Sequence, residues 1–151
     1  MKKTYKTDSA AETIALGERI GALLRGGDLI AYSGDLGAGK TTITRGISIG
    51  MGLGDEVTSP TFALVNEYRG AGLSLIHFDM YRINSSADLE TTGFFDYMDD
   101  DTVLAVEWSE NIEDEIPDNA IRIDIQRVDD DTRIITIETY DGDDRFENIG
   151  D

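Results

Sequence analysis

Residues 28–42, D-L-I-A-Y-S-G-D-L-G-A-G-K-T-T, decide the fold of this chain. Residues 28–33 form a short apolar run of the kind that a buried strand needs, and a glycine-rich loop over residues 34–39 follows directly. Residues 40–49 then have the pattern of a helix, which the glycines at positions 50, 52 and 54 end. The stretch therefore predicts a strand, a tight loop and a helix in succession.

Residues 34–41 fit the pattern G-x-x-x-x-G-K-[ST] without a substitution. Glycines let such a loop turn tightly with several N–H groups pointing inward, where they bind β-phosphate oxygens beside the positive end of the following helix. Lys40 would then bring its charge to the β- and γ-phosphates, Thr41 would ligate Mg²⁺, and Thr42 would reach the α-phosphate. A glycine turn that binds nothing has no need for a lysine followed by a hydroxyl, so we interpret the loop as phosphate-binding.

A phosphate-binding loop needs an acid to hold the metal or its waters, and such folds place that acid at the end of a nearby buried strand. Asp79 follows the strand-like run 73–78, and Glu107 follows the run 102–106. Either acid could bind a magnesium-bound water or orient the attacking water, and the spacing does not assign these roles. Glu107 is the better candidate for the metal, because polar residues do not interrupt its strand.

Three further features invite a functional interpretation, and each also has a plainer one. Residues 58–62, T-S-P-T-F, form a hydroxyl-rich turn whose Thr61 could sense a γ-phosphate, although ordinary turn chemistry explains the segment more simply. His77, the only histidine, fits a buried or hydrogen-bonding residue of a strand better than a catalyst. Trp108 fits a core residue or an anchor for a partner protein.

The remaining patterns predict an α/β fold for the whole chain. A helix of about four turns is predicted to begin near Ser9, with capping-box spacing, and to end at Gly26. A hairpin over residues 62–68 and 73–78, a short helix from Ser85 or Ser86 to Leu89, and a buried strand over residues 102–106 follow. The last predicted element is a hairpin that carries isoleucines at 121, 123, 125, 135 and 137 and has one solvent-exposed face. We expect residues 1–151 to form a single domain of three layers, like a P-loop NTPase, with a mixed, partly parallel sheet and a C-terminal antiparallel hairpin.

Composition restricts the possible functions. The 151 residues include no cysteine, which excludes disulfides and thiolate sites and fits a cytoplasmic protein. No run of eighteen uncharged apolar residues occurs, so we expect no membrane span. The net charge is −18, and residues 76–151 carry all of it. Such a surface repels nucleic-acid phosphates and anionic lipids, so we expect no direct contact with nucleic acid; a basic protein partner or simple solubility accounts for the acidity.

The motifs together resemble one family, the bacterial TsaE ATPases. The matching segments are residues 34–42 (G-D-L-G-A-G-K-T-T), 59–62 (S-P-T-F), 77–82 (H-F-D-M-Y-R) and 106–108 (V-E-W). They occur in the order and with the spacing of that family, and the resemblance extends over about residues 7–140. The phosphate-binding loop alone would be generic, whereas the segments around His77 and Glu107 make the match specific.

The resemblance implies a cofactor, a site and partners. ATP would bind through its phosphates to Lys40 and the other residues of the segment 37–42, which includes Gly37, Ala38 and Gly39, and Thr41 with Glu107 would hold Mg²⁺. Thr61 would belong to a switch-like loop, Asp79 would support hydrolysis, and Trp108 would sit beside the site. The region of Thr7 and a C-terminal arginine such as Arg133 would lie near the nucleotide. The partners would be the carbamoyltransferase that modifies the adenosine next to the tRNA anticodon and its non-catalytic paralogue.

Two other functions remain open at this point. A small-molecule kinase would use the same phosphate-binding loop, although we find no lid segment with clustered arginines. A nucleotide-binding adaptor without turnover would need neither Asp79 nor Glu107. A GTP switch is disfavoured because the tetrapeptide N-K-x-D, which reads guanine, does not occur.

Overall fold

The computed structural model describes residues 1–34, 39–54, 65–70, 72–79, 86–90, 99–107 and 109–149. Among these residues the strands are β1 (Lys2–Thr7), β2 (Leu29–Gly34), β3 (Val65–Tyr68), β4 (Ser74–Asp79), β5 (Thr102–Glu107), β6 (Ile121–Arg127) and β7 (Arg133–Glu138). The helices are α1 (Ala10–Gly21), α2 (Lys40–Gly50) and α3 (Ser86–Glu90), and a 3₁₀ segment spans Ser109–Glu115. Among the described residues, no helix has both the length and the apolar character that a membrane crossing requires.

One mixed sheet contains all seven described strands, in the order β1-β7-β6-β2-β5-β4-β3. The central strands β6, β2, β5 and β4 run parallel to one another. The pairs β3/β4, β6/β7 and β1/β7 are antiparallel. The expected mixed, partly parallel sheet and the C-terminal antiparallel hairpin are therefore confirmed.

The sheet separates two apolar layers. In β2, Ile30 and Tyr32 join the larger core cluster, which includes residues of α1 and α2. The alternate residues Leu29 and Ala31 belong to a second cluster, which includes Ile112 of the 3₁₀ segment. This alternation follows from the period of two along a strand, and it gives helices on one face and the 3₁₀ segment on the other.

The helix α1 begins as the sequence predicts but ends earlier. The hydroxyl of Ser9 accepts a hydrogen bond from the Glu12 N–H at 3.1 Å, and the Glu12 carboxylate accepts one from the Asp8 N–H at 3.3 Å. The helix ends at Gly21 rather than at Gly26, so the predicted length was wrong. Beyond it, the Asp28 carboxylate accepts a hydrogen bond from the Arg25 N–H at 2.6 Å, which holds this stretch in turns.

Helices α1 and α2 touch through their backbones at four glycines. A Cβ atom on Gly46 would lie 2.2 Å from the Ile14 carbonyl oxygen, and one on Gly21 would lie 2.2 Å from the Ile47 carbonyl oxygen. Cβ atoms on Gly17 and Gly50 would lie 2.5 and 2.1 Å from carbonyl oxygens of the opposite helix. No side chain fits at these positions, so the glycines determine how closely α2, which begins at Lys40, approaches α1.

The N-terminal strand β1 was not predicted from the sequence. Its six residues, K-K-T-Y-K-T, include three lysines, and they pair in register with β7 from Lys2 opposite Glu138 to Thr7 opposite Arg133. Lysines on an edge strand discourage pairing with other chains. The strand therefore places Thr7, its last residue, beside the start of β7.

The C-terminal tail closes the larger core. Phe146 is fully buried, and the Arg145 guanidinium lies over its ring at 5.1 Å. Arg145 also contacts the Asp28 and Asp143 carboxylates at 2.8 and 2.9 Å. These ion pairs tie the tail to the residue that precedes β2.

Candidate nucleotide-binding site

The start of α2 has the features of an anion-binding helix terminus. Gly39 occupies the N-cap position with φ 109° and ψ 24°, a left-handed conformation that favours glycine. No side chain caps this helix, and its first turn contains no acidic residue. The amide groups and the helix dipole are thus suited to a negatively charged ligand, as the sequence motif predicts.

Lys40, the first residue of α2, is buried, with 8 % of its surface exposed. Its carbonyl oxygen accepts a hydrogen bond from the Thr44 hydroxyl at 2.6 Å. The Tyr32 hydroxyl lies 2.8 Å from the same Thr44 oxygen. Because Thr44 has a single hydroxyl hydrogen and gives it to Lys40, Tyr32 must donate to Thr44. The central strand β2 therefore supports the first turn of α2 through a buried hydrogen-bond chain.

Tyr32 remains a hydrogen-bond donor over the physiological pH range. Burial raises the pKa of its hydroxyl, the hydrogen bond with Thr44 lowers it, and the negative charge of Glu107 raises it further. The net effect is a raised pKa, so the hydroxyl stays protonated. Val103 and Ala105 of β5 belong to the larger core cluster, so the period of two along a strand puts Glu107 on the same side of the sheet, which faces α2.

The two candidate acids end neighbouring strands. Asp79 of β4 is the register partner of Glu107 of β5, and both strands run parallel to β2, whose last residue precedes the predicted phosphate-binding loop. The Glu107 side chain is 17 % exposed, and its Oε2 lies 2.9 Å from Nε2 of His77. The backbone of Asp79 is described, but its side chain lies outside the described part of the structure. The carboxyl edge of the sheet thus places the backbones of the two acids side by side.

A small cleft lies beside the start of α2. Gly39, Thr42 and Arg133 line it, together with Ala10 and Thr13 of α1 and with Asp130 and Asp131 of the turn between β6 and β7. The Arg133 Nε lies 3.7 Å from where a Cβ atom would stand on Gly39. The structure therefore brings three of the predicted nucleotide-binding residues together.

Thr7 lies directly behind this cleft. Its hydroxyl is 2.7 Å from that of Thr13, and both side chains are buried. The backbone around the cleft also holds Arg133, whose Nη1 donates to the carbonyl oxygens of Asp129 and Thr132 at 2.6 and 3.0 Å. Thr7 thus supports Thr13 through the hydroxyl contact. It also lies opposite Arg133 in the pairing of β1 with β7.

Some residues of the site were not predicted from the sequence, and some predicted residues lie outside the described part of the structure. Thr13 lies one helical turn after the N-cap Ser9, so it is near the start of α1. Nothing in the sequence connects Thr13 with the predicted phosphate-binding loop. Tyr32 and Thr44 look like a strand residue and a helix residue until the fold brings them together. Gly37, Ala38, Thr61 and Trp108 lie outside the described residues.

The donor set fits Mg²⁺ carried by a nucleotide. Thr41 is exposed at the start of α2, and Glu107 is partly exposed, so both can present oxygen atoms. Among the described residues, no group of three or more His, Cys, Asp or Glu side chains could enclose a metal ion. Mg²⁺ is usually bound by one or two carboxylates and by substrate phosphates rather than by a complete protein cage. The oxygen atoms of Thr41 and Glu107 are of the kind that Mg²⁺ binds in such a site.

The family model described as "Threonylcarbamoyl adenosine biosynthesis protein TsaE" matches residues 7–135. The chain belongs to the TsaE family. The matched span begins at Thr7 and includes Arg133, so it contains all of the predicted site residues. The resemblance deduced from the phosphate-binding loop and the segments around His77 and Glu107 is confirmed.

Curated relatives and a solved structure agree with this assignment. A Bacillus subtilis protein named "tRNA threonylcarbamoyladenosine biosynthesis protein TsaE" is 39 % identical over 132 residues, which cover 87 % of this chain and 82 % of the relative. A Streptomyces coelicolor protein of the same name is 43 % identical over 119 residues, covering 78 % and 80 %. The crystal structure of Bacillus subtilis YdiB has a TM-score of 0.74 and 33 % identity, and the match covers 99 % of this chain and 92 % of that one. The P-loop-like α/β fold predicted from the sequence is therefore confirmed.

Proposed function

We propose that this TsaE family member is a magnesium-dependent ATPase that supports threonylcarbamoyl modification of the adenosine next to the tRNA anticodon. The observation that carries the proposal is the position of Lys40, buried at the uncapped start of α2. The partly exposed acid Glu107 ends a strand beside β2 on the same side of the sheet. The relatives are named for the corresponding tRNA pathway.

Each residue has a distinct role in this proposal. The amides of residues 37–42 and the Lys40 ammonium bind the phosphates, and Thr42 and Arg133 line the part of the cleft toward the nucleoside. Thr41 and Glu107 hold Mg²⁺, which supplies positive charge to the β- and γ-phosphates when it is bound. Asp79 supports hydrolysis, and Thr61 belongs to a switch-like loop that senses the γ-phosphate. Thr7 supports the cleft from behind, and Trp108 lies next in sequence to Glu107, beside the site.

The protein acts through protein partners rather than on RNA directly. We infer this from the net charge of −18, all of it in residues 76–151, which opposes contact with a tRNA backbone and favours basic protein surfaces. The partners in this proposal are the carbamoyltransferase and its non-catalytic paralogue, in the cytoplasm. Residues 1–151 act as a single nucleotide-binding domain, and hydrolysis changes its association with that complex.

Phosphate release is the direct test. The isolated protein should hydrolyse ATP slowly with Mg²⁺, and the rate should change when the two partner proteins are added, because a partner completes the positioning of water. Rapid phosphorylation of a metabolite, with no effect of the partners, would instead favour a small-molecule kinase. Binding of ATP without release under any condition would favour an adaptor.

A further inference from the structure

The single histidine of the chain occupies a buried position on the site's side of the sheet. His77 lies on β4, is 4 % exposed, and has Ala105 of β5 as its register partner. Its ring meets the ring of Tyr32 edge to face, with centroids 6.2 Å apart and an angle of 71° between the planes. This packing restricts the orientation of the imidazole.

Among the described residues, the polar atoms of this ring have one acidic neighbour, Glu107. Nε2 lies 2.9 Å from Oε2 of Glu107, but the ring N–H is not aligned for a hydrogen bond. Nδ1 has no hydrogen-bond partner among the described residues. Buried polar atoms are normally hydrogen-bonded, so an unaligned pair at this distance needs a reason. In unliganded sites, functional hydrogen bonds are often poorly aligned and tighten in the complex.

His77 also completes a buried connection between α2 and Glu107. The Lys40 carbonyl, the Thr44 hydroxyl and the Tyr32 hydroxyl form a hydrogen-bonded chain. The Tyr32 ring then contacts His77, which contacts Glu107. Thr44, Tyr32 and His77 are buried, so the connection is shielded from water as far as Glu107, which is partly exposed. It joins the phosphate-binding end of the site to the acid end.

We propose that His77 is a positioning residue whose Nε2–H holds one oxygen of the Glu107 carboxylate, with an aligned hydrogen bond forming when a magnesium nucleotide occupies the site. A carboxylate held at Oε2 presents Oε1 in a fixed direction. Partners of this kind orient metal-binding groups without touching the metal. The inference rests on the proposed nucleotide site but not on hydrolysis.

Nuclear magnetic resonance of the wild-type protein tests the hydrogen bond directly. Because the chain has one histidine, ¹⁵N labelling of histidine gives one Nδ1 and one Nε2 signal. When Mg²⁺ and a non-hydrolysable ATP analogue are added, Nε2 should carry the proton. The Nε2 signal should shift further from its position in the free protein than it does when the analogue is added with EDTA. An unprotonated Nε2 in the complex, or a signal that is indifferent to Mg²⁺, would overturn the proposal.

Two amide variants separate positioning from simple packing. In His77→Gln the amide nitrogen can reach the place of Nε2, whereas in His77→Asn it corresponds to Nδ1. Calorimetry should give the ratio of nucleotide affinity with Mg²⁺ to that with EDTA. His77→Asn should lower this ratio about 10- to 100-fold, and His77→Gln should retain most of it, with affinities in EDTA unchanged.

The outcomes distinguish this inference from the proposed function. Wild-type protein that binds no nucleotide would remove both. A second outcome would contradict only the role of His77. In that outcome the wild-type protein binds the magnesium nucleotide, and the two folded variants either keep the wild-type affinity ratio or lose it to the same extent. If neither variant folds, the wild-type resonance experiment still decides.

Discussion

Asp79 and Glu107 stand side by side at the carboxyl edge of the sheet, as register partners on the parallel strands β4 and β5. Neighbouring strands are about 4.8 Å apart, so the backbones of these two acidic residues lie close together at the ends of their strands. Glu107 is held close to His77 at 2.9 Å. This arrangement allows the two acids to be examined separately by substitution.

Glu107→Gln should impair magnesium-dependent turnover more than nucleotide binding. The amide keeps the size of the side chain but loses the charge that favours Mg²⁺, so we expect the rate of phosphate release to fall at least about 100-fold. Nucleotide affinity in EDTA should change little. The control is Glu138→Gln, at an exposed acid of β7 that pairs with Lys2. If Asp79→Asn weakened the magnesium dependence and Glu107→Gln did not, the metal would have to be reassigned to Asp79.

Lys40→Ala should remove most of the affinity for ATP and leave the fold intact. The charged group contributes about 1.5–3 kcal/mol to phosphate binding, which corresponds to a loss of about 10- to 150-fold in affinity. Calorimetric titration measures the affinity, and circular dichroism checks the fold. Lys6→Ala is the control, because Lys6 is an exposed lysine that pairs with Asp8. Unchanged affinity in Lys40→Ala would argue against the phosphate site.

Gly46→Ala should destabilise the protein by forcing α1 and α2 apart. The new Cβ would lie 2.2 Å from the Ile14 carbonyl oxygen, and backbone at that distance cannot yield without moving a helix. Overpacking of this kind costs about 1–3 kcal/mol of unfolding free energy. Gly72→Ala is the matched control, because no atom lies within 4 Å of its added Cβ. Urea unfolding compares the two, and equal stabilities would contradict the backbone contact.

Arg145→Met should lower stability in a pH-dependent way. The Arg145 hydrogen bond holds the pKa of Asp143 below its usual value, although burial opposes this shift. A depressed carboxyl pKa stabilises the fold above the unfolded-state pKa of about 3.9, and this contribution is lost as the pH falls through the lower folded-state pKa. At pH 7 the variant leaves two partly buried carboxylates without their guanidinium, so we expect a loss of about 2–4 kcal/mol.

The difference between wild type and Arg145→Met should therefore shrink as the pH is lowered below about 4. Urea unfolding at pH 7 and at pH 3 measures it. Arg127→Met serves as the control, because Arg127 makes an exposed pair with Asp130 and such pairs contribute less than about 1 kcal/mol. A difference that stays constant with pH would show that Arg145 acts through packing alone.

The sequence predicted the elements whose signals are local. The apolar run before Gly34 and the helix after Gly39 are neighbours in the chain, so the phosphate-binding loop could be recognised without a structure. The Ser9 cap depends on residues three apart and was likewise correct. Asp79 and Glu107 were both placed at strand ends, but their direct pairing depends on the order of strands in the sheet, which no local pattern contains.

Contacts between distant segments explain what the sequence did not reveal. The strand β1 has a polar, lysine-rich sequence and gains its partner from β7, more than 120 residues away. The glycines of α1 and α2 look unfavourable within a helix and make sense only against the opposite backbone. Thr13 of α1 and Asp131 of the turn between β6 and β7 line the same cleft, although they lie far apart in the sequence.

The glycine contacts between α1 and α2 should also couple the movements of the two helices. Side-chain interfaces absorb small displacements by changing rotamers, but a carbonyl oxygen pressed against a Cα atom has no torsion to adjust. A push on the first turn of α2 must therefore displace both helices as a rigid pair. If the proposed phosphate site is occupied, we expect strain at the start of α2 to reach the far end of α1, near the Arg19 side chain that donates to the Ile149 carbonyl.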